Sequence, residues 1–223
     1  MPYFTRDFIK FFEELTENNN REWFNANKER YEKNIKQPFE EMVFELITRL
    51  SFEDPLLMIE PKDAIFRIYR DIRFSNDKTP YKNHVSAAIN RGGRKAWNEP
   101  GIYFEMNHEG IGIYGGLYFP NNESINKIRK HLILHSKRFE KIINSKEFKT
   151  KFGGKVLGEK SKRLPKEFEK YASKQPLIFN KQFYFGSELS NTYILKEDLP
   201  DILMDYFLAG KPFNDFLREA LNT

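Results

Sequence analysis

Residues 64–74 read AIFRIYRDIRF, and their alternation decides the fold class. In an extended chain Phe66, Ile68, Ile72 and Phe74 share one side, while Arg67, Tyr69, Asp71 and Arg73 share the other. A helix would scatter both sets around its circumference. The segment therefore reads as a strand with an apolar face. Residues 75–82 (SNDKTPYK) carry Asp77 and Pro80 and read as a turn or loop. Residues 84–90 (HVSAAIN) read as a second strand. Residues 101–107 and 111–119 read as a hairpin around His108, Glu109 and Gly110. Four sequential strands with short connections favour an antiparallel meander.

On either side the apolar period lengthens to that of a helix. Thr5 is placed to cap a first helix that gathers Phe8, Phe11, Phe12 and Leu15 on one face. Asn18, Asn19 and Asn20 end it and begin a second helix, with Trp23, Phe24, Asn27 and Tyr31 on one face. Pro38 suits the first turn of a third, whose stripe is Met42, Val43, Leu46, Ile47 and Leu50. After Pro120, the series Ile125, Ile128, Leu132, Ile133 and Phe139 marks a long amphipathic helix with a basic outer face. Residues 146–163 are lysine-rich and poorly periodic, and read as a solvated connection. Residues 199–208 form a helix, with Gly210 as its C-cap and Pro212 starting a last short one. The sum is an α+β domain: a mainly antiparallel sheet of about four or more strands, with N- and C-terminal helices packed on it.

The chain has 223 residues, with 22 Phe and 11 Tyr to fill a core. Charged residues make up 31% and the mean hydropathy is −0.69, as expected of a soluble globular protein. No stretch is apolar enough for a membrane span, and charges interrupt the N-terminal region where a secretory leader needs an apolar run. The absence of cysteine excludes disulfides, thiolate metal sites and cysteine nucleophiles. A cytoplasmic location is the expectation. Net charge is +5, and its placement matters more than its size. Residues 62–95 hold nine Lys and Arg against three Asp, a net of +6; the remainder, with 28 basic and 29 acidic residues, carries −1. So local an excess points to an anionic partner.

Several blocks together resemble a large uncharacterised microbial family of unknown function. They are Asn19-Asn20-Arg21-Glu22-Trp23-Phe24, Asn27-Lys28, Tyr31 and Pro38-Phe39, and then the dense run from Phe66 to Ser75 with Asp77-Lys78 and Pro80-Tyr81-Lys82. Gly115-Gly116, Pro120, Arg129, Leu164-Pro165, Lys181 and residues 212–217 (PFNDFL) continue the likeness. The resemblance covers nearly the whole chain and implies a single domain over residues 1–223. It implies no particular activity.

The arginine block is the main candidate site. Arg67 and Arg73 share a strand face, about 20 Å apart at strand rise. Lys78 and Lys82 follow on a loop able to fold back, which gives a cradle for a phosphate or carboxylate. Tyr81 and Trp23 would wall it, Asp71 would orient the arginines, and Arg21 would bind ligand or pair with Asp77. Arg70 falls on the apolar face, where a guanidinium needs a carboxylate or several carbonyls. The architectural alternative is that Arg70, Asp71 and Asp77 form ion pairs that pin the loop. Asn27, polar on an aromatic face, is expected to reach the backbone of residues 75–81. Asp71 and His84 are the candidate proton acceptors, His84 paired with Glu105. His131 and His135 have metal-competent spacing, but they lack an acidic partner in a basic setting and read as a solvated helix face. The glycines of residues 110–116 (GIGIYGG) lie in a strand and read as bulges or close packing. No motif calls for a cofactor or a metal. An anionic small molecule is the expected partner, with nucleic acid or a protein partner as alternatives. The sequence leaves the oligomeric state open.

Overall fold

A computed structural model describes all 223 residues. The architecture is α+β. The strands β1 (Val85–Ile89), β2 (Gly101–Met106), β3 (Gly110–Leu117) and β4 (Phe183–Ser190) lie side by side in that order in an antiparallel sheet. The chain divides into two compact units. One contains Met1–Arg94, Tyr103–Ile113 and Glu188–Met204, and the other Lys95–Ile102, Tyr114–Ser187 and Asp205–Thr223.

In the first unit, helix α1 (Arg6–Glu17) begins where the Thr5 hydroxyl accepts the Asp7 amide, at 3.3 Å. Helix α2 (Arg21–Ala26) begins where the Asn20 side chain accepts the Trp23 amide, at 2.9 Å. The single helix expected through Tyr31 is interrupted. The Asn27 side chain donates to the Trp23 carbonyl at 3.0 Å and ends α2 instead of reaching the 75–81 backbone. A short α3 (Lys28–Tyr31) follows, then a π-helical turn (Glu32–Lys36) closed by the Gln37 amide on the Glu32 carbonyl, then α4 (Gln37–Glu53) with Pro38 in its first turn. Phe4, Phe8, Phe11, Phe12 and Phe24 are buried rings. They meet edge-on, Phe4–Phe8 at 4.7 Å and Phe8–Phe12 at 5.0 Å, the arrangement aromatic quadrupoles favour. Phe39 of α4 meets Phe104 of β2 at 5.7 Å.

The segment that decided the fold class is not a full strand. After α5 (Pro61–Ala64), it touches the 80–87 chain at only two antiparallel bridges, Ile65–Ala87 and Tyr69–Tyr81. Three residues separate the bridges on one side and five on the other. The surplus bulges out at Asn83 and His84, so the second strand starts at Val85 rather than His84. Beyond Tyr69 the ladder stops. The Asp71 carboxylate accepts the Arg73 amide at 3.3 Å and turns the chain away. Ile68 is buried as expected, but Phe74 is 96% exposed and contradicts the continuous apolar face.

The second unit holds what the sequence hid. Helix α6 (Asn122–Leu134) starts where the Asn121 side chain caps Ser124, and α7 (Ser136–Ile143) follows. The lysine-rich segment is not a bare connection: it forms α8 (Lys146–Phe152), which buries Phe148 and Phe152 one turn apart. After α9 (Lys166–Glu169) and a 3₁₀ turn (Pro176–Phe179), β4 enters the sheet as an unforeseen fourth strand with Phe183 and Phe185 inward. The last helix, α10 (Leu199–Asn222), runs unbroken through Pro212. Gly210 therefore caps nothing. A Cβ there would lie 2.4 Å from the Phe185 ring, and glycine is needed for that close approach. Gly116, at φ +104°, likewise leaves room for the Phe183 carbonyl on β4.

Candidate functional site

The bridges at Ile65 and Tyr69 hold the arginine block out along one edge of the first unit. Its base is fixed by Asn19, which the sequence reading placed only at a helix break and in the family-like block. The Asn19 side chain donates to the Tyr81 carbonyl at 2.9 Å and accepts the Tyr81 amide at 3.1 Å, replacing a strand neighbour. Tyr81 stacks on Phe24 at 3.9 Å and is buried, so it is a structural ring and not a ligand wall. Burial also raises its pKa. Trp23 is half-buried against Phe11, at 5.4 Å, and does not line the groove that Arg67 lines.

The four proposed cations do not form one cradle. Arg70 pairs with Asp77 and donates to the Thr79 hydroxyl. Asp77 also accepts the Thr79 amide, and these bonds hold its carboxyl down at about 2. Arg73 is claimed by Asp71 at 2.7 Å, which lowers the Asp71 carboxyl to about 2 and makes it a poor proton acceptor. Lys78 donates to the Ile72 carbonyl at 3.0 Å. Arg21 is exposed, and the Asp77 suggested as its partner belongs to Arg70. Of the ion-pair alternative, the structure shows Arg70 on Asp77, while Asp71 pairs with Arg73.

Arg67 differs. It makes no ion pair, and it lines a groove of about 720 Å³ between α4, α5 and the Ile65–Tyr69 segment. Phe24, Tyr31, Phe66, Ile68 and Tyr69 supply apolar and aromatic wall. At the rim the cations Lys36 and Lys62 are neutralised by Glu32, at 2.7 Å, and Glu60, at 2.5 Å. Arg94, also on the groove, donates to the Lys62 carbonyl and pairs with no carboxylate. Glu40 and Glu41 also line the groove, so its charges balance overall, and Arg67 and Arg94 are the cations there that make no ion pair.

Lys82 and His84 belong to a separate polar cluster. Lys82 sits over the Phe66 ring at 4.9 Å, and desolvation, reinforced by Arg67, lowers its pKa. His84 Nε2 is 3.7 Å from Glu105 Oε2, the pairing expected from the sequence, and Tyr103 donates to the same oxygen at 2.5 Å. Burial lowers the His84 pKa, which leaves a neutral imidazole at pH 7. His131 is not on a solvated face. It is buried against Phe216, at 4.5 Å between ring centres, with Glu219 at 3.8 Å.

No helix is long and apolar enough to cross a membrane. Residues 7–216 match a family of conserved hypothetical proteins, DUF2461, and the chain belongs to that family. A search of curated proteins finds no match.

Proposed function

We propose that this member of the DUF2461 family binds a small molecule carrying a carboxylate or phosphate, seated in the groove with its anionic end on Arg67. One observation carries the reading. Among the three arginines of the block, Arg67 alone has no carboxylate partner, and it lines a cavity of small-molecule size with aromatic walls. Arg94 adds a second guanidinium, and a planar fork suits either oxyanion. Arg70, Arg73 and Lys78 support the scaffold, and Lys82 tunes the field beside Arg67. We place this role in the cytoplasm on composition, with 31% charged residues and no cysteine. A thermal-shift screen of phosphates and organic acids tests it. Hits should raise the melting temperature of the native chain, and Arg67→Ala should abolish the shift. An undiminished shift in Arg67→Ala would sink the assignment.

A second reading has its own observation. Phe74 is 96% exposed with the Arg73 guanidinium 5.8 Å from its ring, and Arg67 and Lys78 are exposed nearby in sequence. A bare ring among cations is a stacking platform for single-stranded nucleic acid. If that reading holds, a labelled oligonucleotide binds with affinity that falls steeply with salt and drops on Phe74→Ala. Salt-insensitive binding, or none, excludes it.

A further inference from the structure

Arg129 is an arginine in the wrong place for an ordinary surface helix. It lies within the buried stripe of α6, beside Ile125, Ile128 and Leu132, and is only 5% exposed. A guanidinium does not shed its proton in a protein, so its burial costs several kcal/mol unless charge or hydrogen bonds compensate. Here every hydrogen-bond partner is neutral. Nε donates to the Ile178 carbonyl at 2.7 Å, Nη1 to the Asn126 side-chain oxygen at 3.1 Å, and Nη2 to the Ser161 hydroxyl at 3.4 Å. The Phe168 ring lies 5.7 Å from the guanidinium carbon. These bonds use three of the five N–H groups a guanidinium offers and leave one on each terminal nitrogen. No carboxylate stands within ion-pair distance, and burial alone pulls the Arg129 pKa down.

Arg129 lines a cavity of about 470 Å³ together with Arg163, Lys181 and Glu159. Lys181 and Glu159 approach to 3.7 Å, so the lining carries three cations against one carboxylate. The net excess of two positive charges matches a phosphate dianion. Two rings complete the lining. Tyr118 and Phe119 are 50% and 60% exposed, yet neighbours hold both edge-on: Tyr118 by Tyr184 at 5.1 Å, and Phe119 by Trp97 at 5.7 Å. Exposed rings whose positions are already fixed present flat apolar surface at little ordering cost.

We infer that this cavity binds a phosphate monoester carrying a flat ring, with the phosphate on Arg129, Arg163 and Lys181 and the ring against Tyr118 and Phe119. Aryl phosphates and nucleoside monophosphates share that chemistry. The inference concerns the second unit and does not depend on the groove at Arg67. The unpaired buried guanidinium supplies the geometric anchor, and the two surface cations supply the field that draws the anion in.

Calorimetric titration of the full chain with phenyl phosphate, adenosine monophosphate and inorganic phosphate tests it. Arg129→Ala would strip hydrogen bonds from a buried turn, so the informative variants are Arg163→Ala and Lys181→Ala, both at exposed positions. At least one ringed phosphate should bind about tenfold or more tighter than inorganic phosphate. Each variant should weaken it severalfold while leaving the unliganded melting temperature unchanged. Arg67→Ala should bind it normally. Preference for phenyl phosphate or for the nucleotide identifies the source. The inference is overturned if no probe binds at millimolar concentration, if inorganic phosphate binds as tightly as the ringed probes, or if both variants bind like the native chain. Loss of binding in Arg67→Ala alone would place the ligand in the groove and overturn it equally.

Discussion

Arg70 and Arg129 pose one problem in two regions, because the sequence sets each among apolar neighbours. Arg70 lies on an extended segment that turns back at once, and Asp77, seven residues on, meets it. Arg129 lies on a helix that carries it into the interior, and only a carbonyl, an amide oxygen and a hydroxyl receive it. Dense basic sequence is thus no guide to unopposed charge. In residues 62–95 Asp77 and Asp71 take Arg70 and Arg73, and Arg67 in the groove wall stays unpaired. In the second region no acid comes within ion-pair distance of Arg129, whose partners are all neutral.

That contrast can be broken. The largest effect should come from Phe24, which is buried and stacked on Tyr81 under the arginine block. Phe24→Ala should cost roughly 3–5 kcal/mol in chemical denaturation, and the Tyr81 amide should lose hydrogen-exchange protection. Unchanged protection there would mean that Asn19 alone anchors the block. Next comes a direct comparison. Arg129→Met strands buried neutral acceptors and should cost about 2–4 kcal/mol, whereas Arg70→Met removes a partly exposed pair and should cost about 1 kcal/mol or less. The reverse order would refute the contrast. The smallest effect is on pH. Asp71 and Asp77 both titrate near about 2, below the unfolded value of roughly 3.9. Their contribution is complete above the unfolded value and is lost as pH falls through about 2. Amide shifts of Arg73 and Thr79 should move in that window, while the Arg129 side chain, with no acid partner, stays put. Movement of the loop amides near pH 4 instead would show the pairs broken in solution.

Much of this was legible in the sequence, and the failures have physical causes. Thr5 and Asn20 mark real helix starts because capping is local chemistry, whereas Pro38 lies in the first turn of an α4 that continues from the π-helical turn without a cap. The β2–β3 hairpin is legible because its alternation persists over whole strands. The alternation of residues 64–74 outruns its hydrogen bonds, and Asp71, able to turn the chain on its own carboxylate, was the sign that it would. β4 escaped notice because only Phe183 and Phe185 alternate before Gly186 and Ser187 blur the pattern. Lysines masked Phe148 and Phe152 although their spacing is helical. At the site, charge density drew attention to Arg70 and Arg73, which the structure neutralises. Arg129 was quoted only for its resemblance to a family block. Its place four residues after Ile125 and three before Leu132 was a readable sign of a buried cation, by the reasoning already applied to Arg70.

The π-helical turn at Glu32–Lys36 sets how the chain tolerates changes in length. A turn closed from residue i to i+5 holds one residue more than an α-helical turn. That surplus lets Tyr31 before it, Ile35 within it and Phe39 and Met42 after it all stay buried. Deleting Lys33, an exposed residue of the turn, would let α3 run straight into α4 with neither flank displaced. What would change is the rim of the groove, where Glu32 and Lys36 now lie side by side at 2.7 Å. Length variation by one residue at this point would therefore reshape the mouth of the groove while leaving the core intact, a route by which otherwise similar chains could come to admit ligands of different girth.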